Sequence, residues 1–140
     1  MMAYDSENIF AKILRGDIPN HTILETDDVL AFMDVMPQAD GHALVIPKNP
    51  SRNVLDANPL VFGSLFSAVQ RVANAAKTAF QADGVLVQQF NETAAGQTVF
   101  HLHVHVIPRH AGMPLGAHSG QMANNELLAA HAQKYRDVLG

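Results

Sequence analysis

The spacing of apolar residues switches between helix-like and strand-like along the chain, and each switch marks an element. Ile9, Phe10, Ile13 and Leu14 recur at helical spacing ahead of Gly16, which predicts a short helix over residues 8–14. Runs of β-branched and aromatic residues predict strands over 21–25, 29–34 and 43–46, separated by Asp27-Asp28 and by the turn-forming stretch 36–41. Strands so closely spaced read as an antiparallel meander. Asn58-Pro59 offers a helix start, and Leu65, Val69, Val72, Ala76 and Phe80 at spacings of three and four carry a long helix to about residue 81, before Asp83-Gly84. Strands over 85–91 and 99–107 flank a small, polar connection in hairpin fashion, and Pro108 is expected to close the second. Beyond Arg109, Gly112, Pro114, Gly116 and Gly120 predict an irregular loop before a terminal helix over Asn125–Leu139. Without repeats or linkers, this order predicts one α+β domain, a largely antiparallel sheet with one long helix across a face.

One strand carries unusual chemistry. In His101-Leu102-His103-Val104-His105-Val106-Ile107 the period-two alternation places three imidazoles on one face and Leu102, Val104 and Val106 on the other. Histidine titrates nearest neutrality, so this row can supply nucleophile, proton donor and proton acceptor without a cofactor. A solvated histidine-rich face is the blander explanation, and for a lone residue such as His42 the structural reading would prevail. A metal site is the sharper competitor. Alternate strand residues lie about 6.6 Å apart, so two neighbouring imidazoles could converge on one ion but hardly three. With no cysteine, further ligands would come from His42, His110, His118 or a carboxylate, and their spacing announces no closed tetrahedral site. The expectation is chemistry without metal or cofactor. Residues 93–98 are small and polar, suited to an anion; Gly96 would allow close backbone approach, with Gln97 and Thr98 reaching phosphate oxygens.

Composition narrows the classes. A chain of 140 residues, 48% hydrophobic, suits one domain with a real core. A net charge of −4 argues against broad binding of long nucleic acid but leaves room for a small nucleotide. Absence of cysteine excludes disulfides and thiol catalysis. No basic segment followed by an apolar run opens the sequence, so neither a signal peptide nor a membrane span is expected, and the cytoplasm is the default location.

Together these segments resemble the histidine triad family of nucleotide hydrolases and transferases, whose signature is His-φ-His-φ-His-φ-φ with φ apolar. Residues 101–107 match it at every position, and 96–100 resemble the segment that precedes it. Residues 9–19 resemble the N-terminal segment of the Hint-type branch, and 41–48 its strand bearing a fourth histidine. The resemblance covers most of residues 8–110 and leaves 111–140 as a divergent tail of a single domain. It implies a five-stranded antiparallel sheet with a long helix across one face and a short N-terminal helix, and a homodimer whose two sheets join into one of ten strands. It further implies that His103 attacks the α-phosphorus of a nucleoside monophosphate derivative to form a covalent nucleotidyl-histidine, oriented by the main-chain carbonyl of His101. His105 would stabilise the charge developing on phosphate, with His42 and His101 extending the hydrogen-bonded network. Asn91, Gln97 and Thr98 resemble phosphate and leaving-group contacts, Asp34 the carboxylate that holds ribose hydroxyls, and Ile9, Phe10, Ile18 and Phe32 the purine pocket. On residue chemistry alone those four apolar side chains read as core, and Asp34 as a turn carboxylate.

The branch stays open. Gln97-Thr98-Val99 and Pro108-Arg109 look more like the fragile histidine triad branch, which cleaves dinucleoside polyphosphates. Adenosine 5′-phosphoramidates or related adenylates are the leading substrates and polyphosphates the alternative. A nucleotide-binding or partner-binding protein with vestigial activity is the reading from another class.

Overall fold

Asn8 sets the first element, its side-chain oxygen accepting from the Ala11 backbone N–H at 2.9 Å to cap helix α1 (Ile9–Leu14). The computed structural model describes residues 3–116 and 121–140, so His118 and Gly120 lie outside the described residues. Strands β1 (Thr22–Glu25), β2 (Val29–Met33) and β3 (Ala43–Pro47) follow, then helix α2 (Val61–Ala79), strand β4 (Gly84–Gln88), a single 3₁₀ turn (Thr93–Ala95), strand β5 (Val104–Arg109) and helix α3 (Asn125–Leu139). All sheet pairings are antiparallel, in the order β1-β2-β3-β5-β4. The α+β architecture is the one expected.

Boundaries move for identifiable reasons. The long helix starts at Val61 rather than at Pro59, because Asn58 first forms a turn, its side chain accepting from Leu60 N–H and its carbonyl from Val61 N–H. It stops at Ala79, and Gln81 takes a positive φ of 50°. The histidine strand enters the ladder only at Val104. Upstream, Leu102 N–H donates to Ser51 O instead of to a neighbouring strand, so His101, in a bend, and His103 stand just before β5. Pro108 does not close that strand. The β3 partner of β5 reaches only to Val106, so the missing N–H of Pro108 interrupts no bond there, while β4 pairs on to Arg109.

Both faces of the central strands are buried. On one, Val29, Ala31, Met33, Ala43, Val45, Val104 and Val106 pack under α2. Leu128, Ala132 and Tyr135 of α3 join that cluster, so the core extends past residue 110 into the segment read as a tail. On the other, Leu30, Phe32, Leu44 and Ile46 meet Phe10 of α1, with Ile13, Leu14 and Val99 at the margin. Register aligns Phe32 with Leu44 and Leu44 with His105 across three strands, which delivers His105 to this second, partly apolar face.

Two devices hold the connections beside the histidines. Gly41, at φ +84°, lies against the Phe80 ring, where a Cβ would come within 2.8 Å of Phe80 Cε2, and its carbonyl accepts from the Tyr135 hydroxyl. The second device is a polar knot of three buried side chains around a half-buried Glu92. Arg52 donates through Nε and Nη2 to the two oxygens of Glu92 at 2.8 and 2.9 Å, and its guanidinium lies 4.2 Å over the Phe100 ring. Asn53 Nδ2 donates to Glu92 Oε2 and to Gln97 Oε1, while Gln97 Nε2 donates to the carbonyls of Arg52 and Val99. Glu92 holds a positive φ of 73° at the centre of this knot.

Gly41→Ala should therefore destabilise the fold by about 2 kcal/mol, adding backbone strain to a clash with a ring already hemmed in by Tyr135 and His131. Gly63→Ala in α2, with no atom within 4 Å of the added methyl, should stabilise it by about 0.5–1 kcal/mol. Chemical denaturation of the two variants measures both, and equal effects would refute the assignment. The knot predicts a pH signature. Hydrogen bonds from Arg52, then Asn53, hold the Glu92 carboxyl at about 2, below its ordinary 4.5. Its contribution is thus complete above about pH 4.5 and is lost as pH falls through about 2. Thermal midpoints of the parent and Glu92→Gln should differ most near neutrality and converge toward pH 2; a constant gap would show that the carboxylate charge is irrelevant.

Candidate active site

An imidazole has two nitrogens and, when neutral, one proton, so its neighbours reveal where that proton sits. His103 Nδ1 lies 2.6 Å from the carbonyl of His101, two residues back on the same face of the chain. A carbonyl only accepts, so Nδ1 of the neutral ring carries the proton and the lone pair lies on Nε2. The ring is nearly buried and packs edge-on against Phe10 at 4.9 Å, which itself stands edge-on to Phe32 at 5.4 Å.

His105 has the opposite tautomer, set at one remove. The Gln38 backbone N–H donates to His42 Nδ1 at 3.0 Å, so the proton of His42 must lie on Nε2. That nitrogen is 2.9 Å from His105 Nδ1 and 3.4 Å from Asp34 Oδ2. His42 is thus the donor to His105 Nδ1, and neutral His105 carries its proton on Nε2. The rings of His103 and His105 are 5.1 Å apart. A basic nitrogen and an N–H donor stand side by side, the pairing needed to attack phosphorus and steady the charge that results.

His101 is wholly buried and completes the row from behind. Its Nε2 lies 2.8 Å from Pro47 O and its Nδ1 2.6 Å from the Tyr4 hydroxyl, and burial pushes its pKa below the ordinary histidine value.

The remaining expected residues divide. Asp34 accepts from Met36 N–H at 2.8 Å and faces His42, so its carboxylate belongs to the histidine network in this structure. Phe10 packs against His103 with Phe32 behind it, but Ile9 is 45% exposed and lines a cavity of about 530 Å³ with Asn8, Arg52, Thr98, Val99 and Phe100. Ile18 is half-buried and outside the apolar cluster beside His103, where Ile13, Leu14 and Val99 stand instead. Their helical spacing with Phe10 was the available signal for Ile13 and Leu14. Thr98 is exposed at that cavity. Asn91 and Gln97 are occupied elsewhere: Asn91 exchanges hydrogen bonds with Gln89 and accepts from Val54 N–H, and the Gln97 amide is consumed in the knot. Here they shape the loop and do not present their amides to a phosphate. Gln38, Tyr4 and Arg52 were missed, since a backbone donor and two long-range contacts leave no local pattern.

Among the described residues, Asp34, His42 and His105 bring donor atoms within 4.8 Å of one another, close enough to consider a cation. The tautomer opposes it. With Nδ1 held by Gln38 N–H, His42 could ligate through Nε2 only by giving up its last proton.

The family model described as HIT domain matches residues 15–112. Protein hit of Bacillus subtilis (strain 168) is 41% identical over 102 residues, 73% of this chain and 70% of that protein. A protein of Arabidopsis thaliana named adenylylsulfatase HINT3 is 37% identical over 101 residues, 72% of this chain and 51% of that protein. A crystal structure of a Hit-like protein involved in cell-cycle regulation from Bartonella henselae, with unknown ligand, superposes with a TM-score of 0.94 at 52% identity, covering 98% of this chain and 99% of that one. With two relatives above 40 and 50% identity, a family model spanning most of the chain and the histidine row in place, the chain belongs to the HIT family of nucleotide-binding proteins.

Proposed function

We propose that the protein is a metal-independent hydrolase of adenosine 5′-phosphoramidates or related adenylates, working through a nucleotidyl-His103 intermediate. The observation that carries this reading is the opposed protonation of His103 and His105 on one strand face. His103 Nε2 forms a bond to the α-phosphorus as the bond to the leaving nitrogen breaks, and the amine departs with a proton taken from solvent. His105 Nε2–H donates to a non-bridging oxygen as charge builds there. Water then attacks phosphorus, the bond to His103 breaks, and AMP and a proton leave. Asp34, beside His42 Nε2–H, reinforces the polarity of the His42–His105 pair. Phe10, packed against His103 and backed by Phe32, is buried and gives the site an apolar wall. The name of the Arabidopsis relative, an adenylylsulfatase, lends support to an adenylate substrate.

The active form is proposed to be a homodimer. Strand β4 ends the sheet, with Val87 43% exposed, so pairing of two β4 edges would continue the sheet and cover that side chain. Among the described residues no helix is long and apolar enough to cross a membrane, and the proposed partner of the site is a small nucleotide.

His103→Ala should keep the fold and bind AMP while forming no adduct; mass spectrometry after rapid quench of the parent should show the nucleotidyl chain. An adduct persisting in the variant would move the nucleophile elsewhere. His105→Ala should lower kcat by roughly 10²–10³-fold with a much smaller change in AMP affinity, because its hydrogen bond strengthens in the transition state. Because the leaving amine takes its proton from solvent, a nitrophenolate leaving group should speed the parent and His105→Ala alike, leaving their ratio unchanged, and should restore no rate to His103→Ala. Activity should survive exhaustive chelation, and strong preference for diadenosine polyphosphates over the phosphoramidate would reassign the substrate.

A further inference from the structure

Tyr4 lies ahead of every segment that carries the family resemblance, yet its hydroxyl makes a 2.6 Å hydrogen bond to His101 Nδ1, with the two rings edge-on at 5.6 Å. The direction of that bond is fixed. His101 Nε2 faces Pro47 O at 2.8 Å and must donate to it, so Nδ1 accepts and Tyr4 donates. Burial raises the Tyr4 phenol above its ordinary value, which keeps the donor protonated at any working pH. His101 is thus held at three points, its ring by Tyr4 and Pro47 and its following peptide by the bond from Leu102 N–H to Ser51 O. The carbonyl between ring and peptide is the one that accepts from His103 Nδ1.

We infer that Tyr4 is a positioning residue: it latches His101 in one neutral tautomer and so holds the carbonyl that aims the His103 Nε2 lone pair. The inference rests on the catalytic reading of His103 given above. Of the charged groups near this pair, Asp56 acts on His101 and favours its protonation, while Asp5 and Arg15 act on Tyr4 in opposite senses. None of them supplies a hydrogen bond to Nδ1: burial is the main cause that opposes a second proton on this ring, and the Tyr4 hydroxyl is the donor that occupies Nδ1. Without it, Nδ1 would be left buried and unpaired, and the ring, held then by Pro47 O, would loosen from its fixed pose and disturb the carbonyl.

The test is Tyr4→Phe in the full chain, which keeps the ring and removes the hydroxyl. The expected result is a fall of about tenfold in kcat on adenosine 5′-phosphoramidate with KM within about twofold, since alignment and not ground-state binding is lost. Imidazole ¹⁵N spectra should show His101 as a single Nε2–H tautomer in the parent, and in the variant an Nδ1 shift moved toward that of a nitrogen without a hydrogen bond, with the tautomer no longer unique. Unchanged kcat together with unchanged His101 and His103 shifts would overturn the inference, as would a rise in KM alone, which would mark Tyr4 as mere packing. Should Tyr4→Phe fold poorly, the parent still decides: a slowly exchanging, downfield tyrosine hydroxyl proton bonded to His101 Nδ1 is required, and its absence refutes the latch. A parent that forms no adduct and turns over no adenylate would sink the proposed function instead, while the spectra continue to report on Tyr4.

Discussion

The placement of one proton on each imidazole is the constraint on which this site depends, and backbone groups decide it. The His101 carbonyl puts the proton of His103 on Nδ1, and the Gln38 N–H puts that of His42 on Nε2, which in turn leaves His105 with its proton on Nε2. Side chains of one type, two residues apart on one face, thereby acquire opposite characters. A titrating carboxylate in either role would make the assignment depend on pH, whereas a peptide group presents the same donor or acceptor at any pH. Chemistry that needs a base beside a donor near neutrality is therefore wired to the main chain, and the fold must hold that main chain still.

Much of the local scaffold serves this end. The turn carrying Gln38 is pinned at Gly41, where the missing side chain lets Phe80 approach and the Tyr135 hydroxyl grips the carbonyl. Tyr135 belongs to α3, so the last helix reaches the histidine network through only two residues, Gly41 and His42. On the opposite side, the knot of Arg52, Asn53, Glu92 and Gln97 ties residues 52–53 to the loop ahead of His101, and tolerates a strained Glu92 at its centre. Ion pairs between exposed side chains contribute little to stability. This one differs in being two-pronged, shared with Asn53 and backed by the Phe100 ring, and its effect is to fix a loop.

The fold was legible where a pattern is local and periodic. Alternation of His101 to Ile107 placed the imidazoles and the aliphatic residues on opposite faces, and that survives although the ladder begins only at Val104, because Leu102 joins Val104 and Val106 in one apolar cluster while its N–H is tied to Ser51 O. The helix spacing of α2 and α3 was equally plain. Less legible was what each polar side chain would meet. Gln97 beside a glycine reads as an anion ligand, yet its amide is closed into the knot by Asn53, 44 residues away in sequence. Ile9 and Ile18 share the composition of a base pocket, but the turn of α1 directs Phe10 inward and leaves Ile9 at the surface. Tyr4 sits 97 residues from His101, and no spacing rule spans that distance.

The histidine face also differs from the expected division into a core side and a polar side. Phe32, Leu44 and His105 align across three strands, so the imidazoles border an apolar cluster and are themselves nearly buried. Low polarity on that flank strengthens each hydrogen bond that sets a tautomer and makes any uncompensated charge costly. In the proposed reaction it raises the value of an N–H aimed at an oxygen that becomes charged only as the bond to phosphorus forms. On this argument the apolar cluster does more than hold a base. It supplies the dielectric setting in which backbone-fixed tautomers can discriminate the transition state from the ground state.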